Sequence, residues 1–272
     1  METRQAFQRV NHQNTNRYKR AMSAVMLGIV TLVFCTLTFM NPFYMKSYVR
    51  RGNASVAVER VINRKFNNFA QIIGASSAGD TNMLTTKQTD PLAGAIIDYK
   101  LGIHWFKTDS TALAQNIANI LETKIDDDAS TEAKAVKSAL HKRQANAIYA
   151  IEAGFGLSNT IMAANFETLF MVINILFIIL GILMVISLWD EARALSPRER
   201  VHETMAAGMW AGFWLMVIFV ALAALPLLFP LSDAHPLGFF FEMASGAFLE
   251  LVMVGAIIYV VCAIPWQFTS AN

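Results

Sequence analysis

Four stretches of this chain are apolar for long enough to matter, and they are unevenly placed. The first runs from Ala21 to Met40. A long, mostly polar segment follows. The other three crowd the last third, near Thr168 to Trp189, Met205 to Leu228 and Gly246 to Ile264. Each is about 20 residues, the length with which an α-helix crosses ~30 Å of hydrocarbon. In water such helices would expose more contiguous apolar surface than a soluble monomer carries. The pattern predicts a protein that crosses a membrane four times.

Between the first two stretches the pattern becomes amphipathic. Val58, Ile62, Phe66, Phe69 and Ile73 recur at three-to-four spacing, which predicts a helix capped by Asn53 and ended at Gly74. Residues from Ala75 to Thr89 are small and polar and read as a loop. Asp90-Pro91 reads as the N-cap and first residue of a second helix. Its stripe is Leu92, Ile96, Tyr99, Ile103 and Phe106, weakened by Gly94 and Gly102. A third helix starts at Asp109-Ser110 and carries Leu113, Ile117, Leu121 and Ile125. A fourth opens near Ser130, with Val136, Leu140, Ala147, Ile151 and Phe155 on one face. Gly154 and Gly156 predict a break before the next apolar stretch. Four such helices bury their stripes against one another as an antiparallel bundle.

The expected fold is therefore an all-α membrane protein, with four transmembrane helices and a helical extracytoplasmic domain inserted between the first and the second. The expected boundaries are a basic N-terminus at 1–20, crossings at 21–41, 166–189, 205–230 and 246–265, and the inserted domain at 42–165. A cytoplasmic loop and short helix fall at 190–204, an outer loop at 231–245 and a tail at 266–272.

Charge sets the expected orientation. Arg4, Arg9, Arg17, Lys19 and Arg20 stand against Glu2 alone before the first stretch. Basic residues there hold that end in the cytoplasm. Arg193, Arg198 and Arg200 place the connection between the second and third stretches on the same side, and four crossings return the C-terminus to it. Lys46, Arg50 and Arg51 pull the other way. The polar segment from Lys46 to Glu152 holds 14 Lys and Arg against 11 Asp and Glu, but long loops translocate largely regardless of charge. The first stretch reads as an uncleaved signal anchor in a plasma membrane. Its end, Thr36 to Pro42, has no small-x-small cleavage site. Phe34 is too bulky before Cys35 for a lipoprotein signal.

Composition removes several function classes. Charged residues are 15% of the chain, against ~25% in soluble proteins. A net charge of +2 gives no electrostatic case for nucleic acid. Cys35 and Cys262 both fall in apolar stretches, so the polar segment has neither a disulfide framework nor a thiolate zinc site. The five histidines show no ligand spacing, His104-Trp105 included. Asp126 to Asp128 lacks the spaced aspartates and glycine of a calcium loop and reads as a solvated helix junction. No metal or other cofactor is expected. Nucleophile elbow, phosphate loop and dinucleotide fingerprint are all missing, so no catalysis is expected either.

The polar residues inside apolar stretches are the main candidates. Glu250 lies in the fourth stretch and Asn174 in the second. Such groups face protein or water, because lipid cannot solvate them. With Glu242, Asp233 and His235 ahead of it, Glu250 lines a candidate proton or cation path; the alternative is an interfacial, protonated or hydrogen-bonded acid. Gly208 and Gly212 stand one turn apart and let another helix approach, within this chain or from a second copy. Trp210 and Trp214 fit an aromatic belt, and Phe239 to Phe241 a headgroup contact. Pro226 and Pro230 end or kink the third crossing. Ser196-Pro197-Arg198-Glu199 is a capping box with proline at the first helical position. The helix it starts presents Arg198, Arg200 and Glu203, either to a cytoplasmic partner or to solvent.

Three functions fit these features. The first is a sensor, adaptor or scaffold acting through the inserted domain and a protein partner or a second copy of the chain. The second comes from a resemblance in layout. A cytoplasmic N-terminus, one helix, a large outer domain and three further helices resemble the order of elements in FtsX- and MacB-type subunits. That resemblance implies a permease-like subunit working with a cytoplasmic ATPase, and strands in the outer domain, where this segment reads as all-helical. The third is a small transporter or channel built on Glu250 and Asn174.

Overall fold

The computed structural model describes residues 2–75, 83–102, 104–126, 129–142, 144–228 and 236–270. Every element among them is helical. The strands that FtsX- and MacB-type outer domains would bring are therefore absent from the described residues. The chain folds as two compact units, one of residues Leu37–Val172 and one of residues 1–36 with 173–272.

The first unit holds α2 (Pro42–Tyr48), α3 (Gly52–Ile72), α4 (Thr86–Leu101), α5 (Thr111–Lys124), α6 (Thr131–Lys142), α7 (Gln144–Phe155) and the start of α8 (Leu157–Glu191). Its core is made by the predicted stripes. Ile62, Phe66 and Phe69 of α3 meet Leu92 of α4, Leu113, Ile117 and Leu121 of α5, Val136 and Leu140 of α6, and Ile151 and Phe155 of α7. Each such side chain contributes about 1.5–3 kcal/mol by leaving water. Phe69 packs between Phe66 and Phe155, with ring centroids 6.2 Å from each. At Gly154 the backbones of α7 and α3 touch: a Cβ there would lie 2.4 Å from Phe69 Cα.

Several boundaries differ from the sequence expectation, each for a local reason. α3 starts at Gly52 with Arg51 as N-cap and no side-chain cap, so Asn53 lies inside the first turn. α4 starts at Thr86, before Asp90-Pro91. Thr85 and Gln88 form a reciprocal capping box that satisfies the orphan donors earlier, and Pro91 sits inside the helix. α4 then ends at Leu101 with Gly102 as C-cap. Phe106 thus falls beyond the helix, exposed and off the stripe, and Ile103 lies outside the described residues. The predicted fourth helix is present as α6 and α7, which stand on either side of residue 143, outside the described residues. Gly156 has φ +63°, a value that suits glycine and separates α7 from α8. One helix was not expected. Asn41 caps α2, its Oδ1 accepting from Phe43 N at 2.9 Å, with Pro42 in the first turn.

The second unit holds α1 (Glu2–Leu37), the rest of α8, α9 (Pro197–Leu228) and α10 (Pro236–Ser270). Four segments, Thr15–Leu37, Leu157–Glu191, Pro197–Leu225 and Ala244–Ser270, are long and apolar enough to cross a membrane. They make this a multi-pass membrane protein. From Phe170 to Ile186 α8 exposes large apolar side chains on most of its circumference, as a helix solvated by lipid does. α9 and α10 form a close hairpin. Ala207, Ala211, Leu215 and Phe219 are buried along α9, and Ala244, Ala247, Phe248 and Leu251 along α10. The Phe219 and Phe248 rings meet at 5.8 Å. Pro226 lies in the last turn of α9; Pro230 lies outside the described residues.

Candidate functional site

Three places of contact between the membrane helices stand out among the described residues. The first joins α1 and α8. Asn174 is buried, and its Nδ2 donates to Thr36 Oγ1 at 2.6 Å and to Leu32 O at 3.0 Å. Thr36 Oγ1 itself donates to Leu32 O at 3.0 Å. The i to i−4 bond of Thr36 aims its lone pairs across the helix gap, where an amide on α8 can use them. Two turns farther along α8, Gly181 lets Ile29 approach: a Cβ on Gly181 would lie 2.7 Å from Ile29 Cγ1. This is the chemistry of helix association in lipid, where interhelical hydrogen bonds and small residues replace a hydrophobic driving force.

The second place is the hairpin crossing. A Cβ on Gly212 would lie 2.7 Å from Gly255 O and 2.9 Å from Tyr259 N, and a Cβ on Gly255 would lie 2.9 Å from Gly212 O. Here backbone meets backbone. Gly208 faces Cys262, whose Sγ would lie 2.5 Å from an added Cβ. Gly208 and Gly212 therefore both face α10 of the same chain. Gly255 is their counterpart, and a lone glycine inside the last apolar stretch was its only signal in the sequence.

The third is a polar seam at the ends of the helices. Lys19 of α1 pairs with Glu203 of α9 at 2.8 Å, beside a 3.3 Å contact between Tyr18 Oη and Thr204 Oγ1. Arg198 donates from Nε and Nη2 to Thr269 O at 3.1 and 3.0 Å, capping the C-terminal end of α10. Arg200 donates to Ala192 O at 3.1 Å in the short turn after α8, and its guanidinium stands 5.7 Å from the Trp189 ring. The His202 ring stacks on Trp266 at 5.4 Å, with Nδ1 3.1 Å from Thr269 Oγ1. The Ser196 box that starts α9 is formed: Ser196 Oγ accepts from Glu199 N at 3.3 Å, and Ser196 N donates to Glu199 Oε2 at 3.1 Å. Arg198, Arg200 and Glu203, read from the sequence as facing either a partner or solvent, all bond within the chain. Tyr18, His202, Trp266 and Thr269 carried no sequence signal, because their partners lie far away along the chain.

The remaining candidates do not converge. Glu250 is exposed on α10, while the face of that helix packed on α9 runs through Ala247, Leu251 and Gly255. Asp233 and His235 lie outside the described residues, as do the side chains of Glu242 and Phe239 to Phe241. Trp210 and Trp214 are exposed on α9, each edge-on to Phe213 at 5.8 Å. Asp126 follows α5, while Asp127 and Asp128 lie outside the described residues. No group of three or more His, Cys, Asp or Glu able to hold a metal occurs among the described residues.

In the helical unit two asparagines clamp backbone. Asn63 bonds both the N–H and the C=O of Leu84, and Asn165 does the same to Lys107, at 2.7 and 2.9 Å. Lys65 donates to Phe155 O at the end of α7, and burial, with nearby Lys100 second, pulls its ammonium below the ordinary lysine range. Burial, followed by the Asp109 and Glu152 charges, pushes the Tyr99 hydroxyl up. A shallow basic groove of about 520 Å³ runs along α6, lined by Lys134, Lys137, His141 and Lys142 with Glu122 opposite.

No protein-family model, no curated protein and no solved structure matches this chain.

Proposed function

We propose that this chain is a non-enzymatic plasma-membrane sensor or adaptor, with its helical unit on the outer face and both termini in the cytoplasm. The observation that carries this reading is the course of α8. Leu157 and Ala164 are buried in the core of the helical unit, and the same unbroken helix continues through Asn174 to Glu191. A ligand or protein partner that shifts the core of the helical unit acts directly on a membrane-crossing helix. Helix shifts of ~1–2 Å are an established switching mode. The basic residues Arg17, Lys19 and Arg20 at the start of the first span, with Arg193 after the second and Arg198 and Arg200 at the start of the third, support the cytoplasmic side. The basic groove on α6 is the surface assigned to the partner.

The test has two arms, both on the full chain. Membrane-impermeant maleimide on intact cells should label Glu132→Cys on α6 and leave Arg17→Cys unlabelled until the cells are opened. The reverse pattern overturns the orientation. In mild detergent the chain should carry a stoichiometric protein partner that Lys142→Glu releases. A chain that purifies alone and conducts ions in vesicles, with flux lost in Glu250→Gln, overturns the adaptor reading in favour of a transporter.

A further inference from the structure

The connection between α4 and α5 turns large aromatic side chains outward. Trp105 is 90% exposed and Phe106 60%. The connection is nevertheless held firmly. His104 Nε2 lies 3.4 Å from Lys100 O and its Nδ1 2.8 Å from Trp105 O and 3.4 Å from Thr168 Oγ1. Lys107 is clamped by Asn165 through both its backbone groups. Its ammonium donates to Tyr99 O at 2.9 Å and stands 3.5 Å from the centre of the Tyr99 ring. Trp105 and Phe106 are thereby fixed beside residues 165–168 of α8. That is where the long apolar run of α8 begins, with Leu169, Phe170 and Val172 exposed.

A second aromatic group stands at the same end of this unit. Phe43 of α2 is 78% exposed. Two ion pairs fix the direction of α2 along α4: Arg50 with Asp90 at 3.8 Å and Lys46 with Asp98 at 2.7 Å. Going back from Arg50, two residues past the end of α2, to Lys46 within it goes forward along α4 from Asp90 to Asp98. One more turn back reaches Phe43 on α2, and the matching step on α4 reaches Leu101, from which the Trp105 connection leaves. Lys46 lies 5.4 Å from the Phe43 ring. In sequence, α2 follows the apolar span that ends at Leu37.

Exposed aromatic rings carried on an anchored backbone beside an apolar run are poorly matched to water. They match the headgroup layer, which favours tryptophan at the boundary of the hydrocarbon. We propose that the α2 and α4–α5 end of the helical unit is seated in the lipid interface, with Trp105, Phe106 and Phe43 inserted among the headgroups and upper acyl chains. Within the same unit the surface adjoins the exposed Leu169, Phe170 and Val172 of α8, which commits it to bilayer lipid. This rests on the membrane reading of the four apolar helices, and the test separates the two.

The chain is reconstituted in phosphatidylcholine vesicles containing lipid brominated either close to the headgroup or near the methyl end. A variant with Trp189, Trp210, Trp214 and Trp266 changed to Phe reports on Trp105 alone. A companion retaining only Trp210 reports on the apolar helices. Trp105 emission should be blue-shifted relative to indole in water. The shallow bromines should quench it more than the deep ones, and iodide should quench it weakly. Emission at the wavelength of water-exposed indole, quenched by iodide and untouched by bromine while Trp210 is quenched, overturns the interface proposal alone. If neither tryptophan is quenched, the membrane reading falls and takes the proposal with it. Trp105→Phe in the otherwise natural chain gives the same readout by difference: the emission it removes should be the shallow-bromine-sensitive part.

Discussion

The side-chain amide of Asn63 pairs with the backbone of Leu84 as a strand neighbour would: Nδ2 donates to Leu84 O at 2.9 Å, and Oδ1 accepts from Leu84 N at 2.8 Å. Both residues are about 1% exposed, so water cannot replace either bond. This amide, with the Thr86 hydroxyl donating to Glu59 Oε2 at 2.8 Å, registers the start of α4 against α3.

Asn63→Ala should therefore be among the costly substitutions in the helical unit. It leaves a buried N–H and a buried C=O without partners, at about 1–3 kcal/mol each. Thermal unfolding of the full chain in detergent, followed by circular dichroism, should show a drop of several degrees. An unchanged midpoint would mean that Leu84 finds other partners.

The glycines of the membrane helices should rank by what a new methyl would meet. Gly28→Ala meets nothing within 4 Å and should be neutral or slightly stabilising, since alanine favours helix by about 1 kcal/mol. Gly208→Ala meets the Cys262 thiol, a side-chain end, and should cost little. Gly212→Ala meets the backbone of Gly255 and Tyr259 and should cost about 1–3 kcal/mol by overpacking. Resistance of the folded chain to added SDS gives the order, and Gly212→Ala equal to Gly28→Ala would contradict the crossing.

The bond between Asn174 and Thr36 is testable by a double-mutant cycle. Asn174→Leu and Thr36→Val should each destabilise by about 0.6–2 kcal/mol, the range for interhelical hydrogen bonds in lipid. Together they should cost less than their sum, because they remove the same interaction. Strict additivity in the same SDS titration would separate the two residues.

Lys65 predicts a pH dependence with a definite sign. Burial lowers its folded-state value below the ordinary lysine range. Between the lowered and the ordinary value the unfolded chain binds more protons than the folded one, so stability rises with pH there. Below that alkaline window both states are charged and the cost of burying the ammonium is constant. Lys65→Met removes this contribution. Melting curves of the natural chain and the variant, taken at rising alkaline pH, should diverge in favour of the natural chain. Parallel curves would place the ammonium in water.

What the sequence made legible was whatever depends on helical period. Phe66, Leu92, Ile117, Leu140 and Ile151 were identified as core because a buried face repeats every turn. The capping box at Ser196 was legible because all its atoms lie within four residues. Two local signals competed ahead of α4, and the Thr85–Gln88 box prevailed over Asp90-Pro91 because it satisfies two orphan donors at once and lets Gln88 and Thr89 be buried. Phe106 was misplaced by extending a period past Gly102, where the helix ends. Asn174 was visible as a polar residue among apolar ones, but Thr36 was not visible as its partner. The guanidinium of Arg198 reaches a carbonyl at Thr269, and nothing near Arg198 in sequence announces it. Period and caps are written locally; destinations of long polar side chains are set by packing between distant helices.

The Cys262 sulfur fills the volume that Gly208 leaves open on the neighbouring helix. Cys262 is partly exposed, so a small reagent reaches the sulfur with the hairpin shut, whereas a bulky group on the side facing Gly208 would have to part α9 from α10. The reactivity of the thiol toward reagents of increasing size is thus a native gauge of how closely the two helices are held.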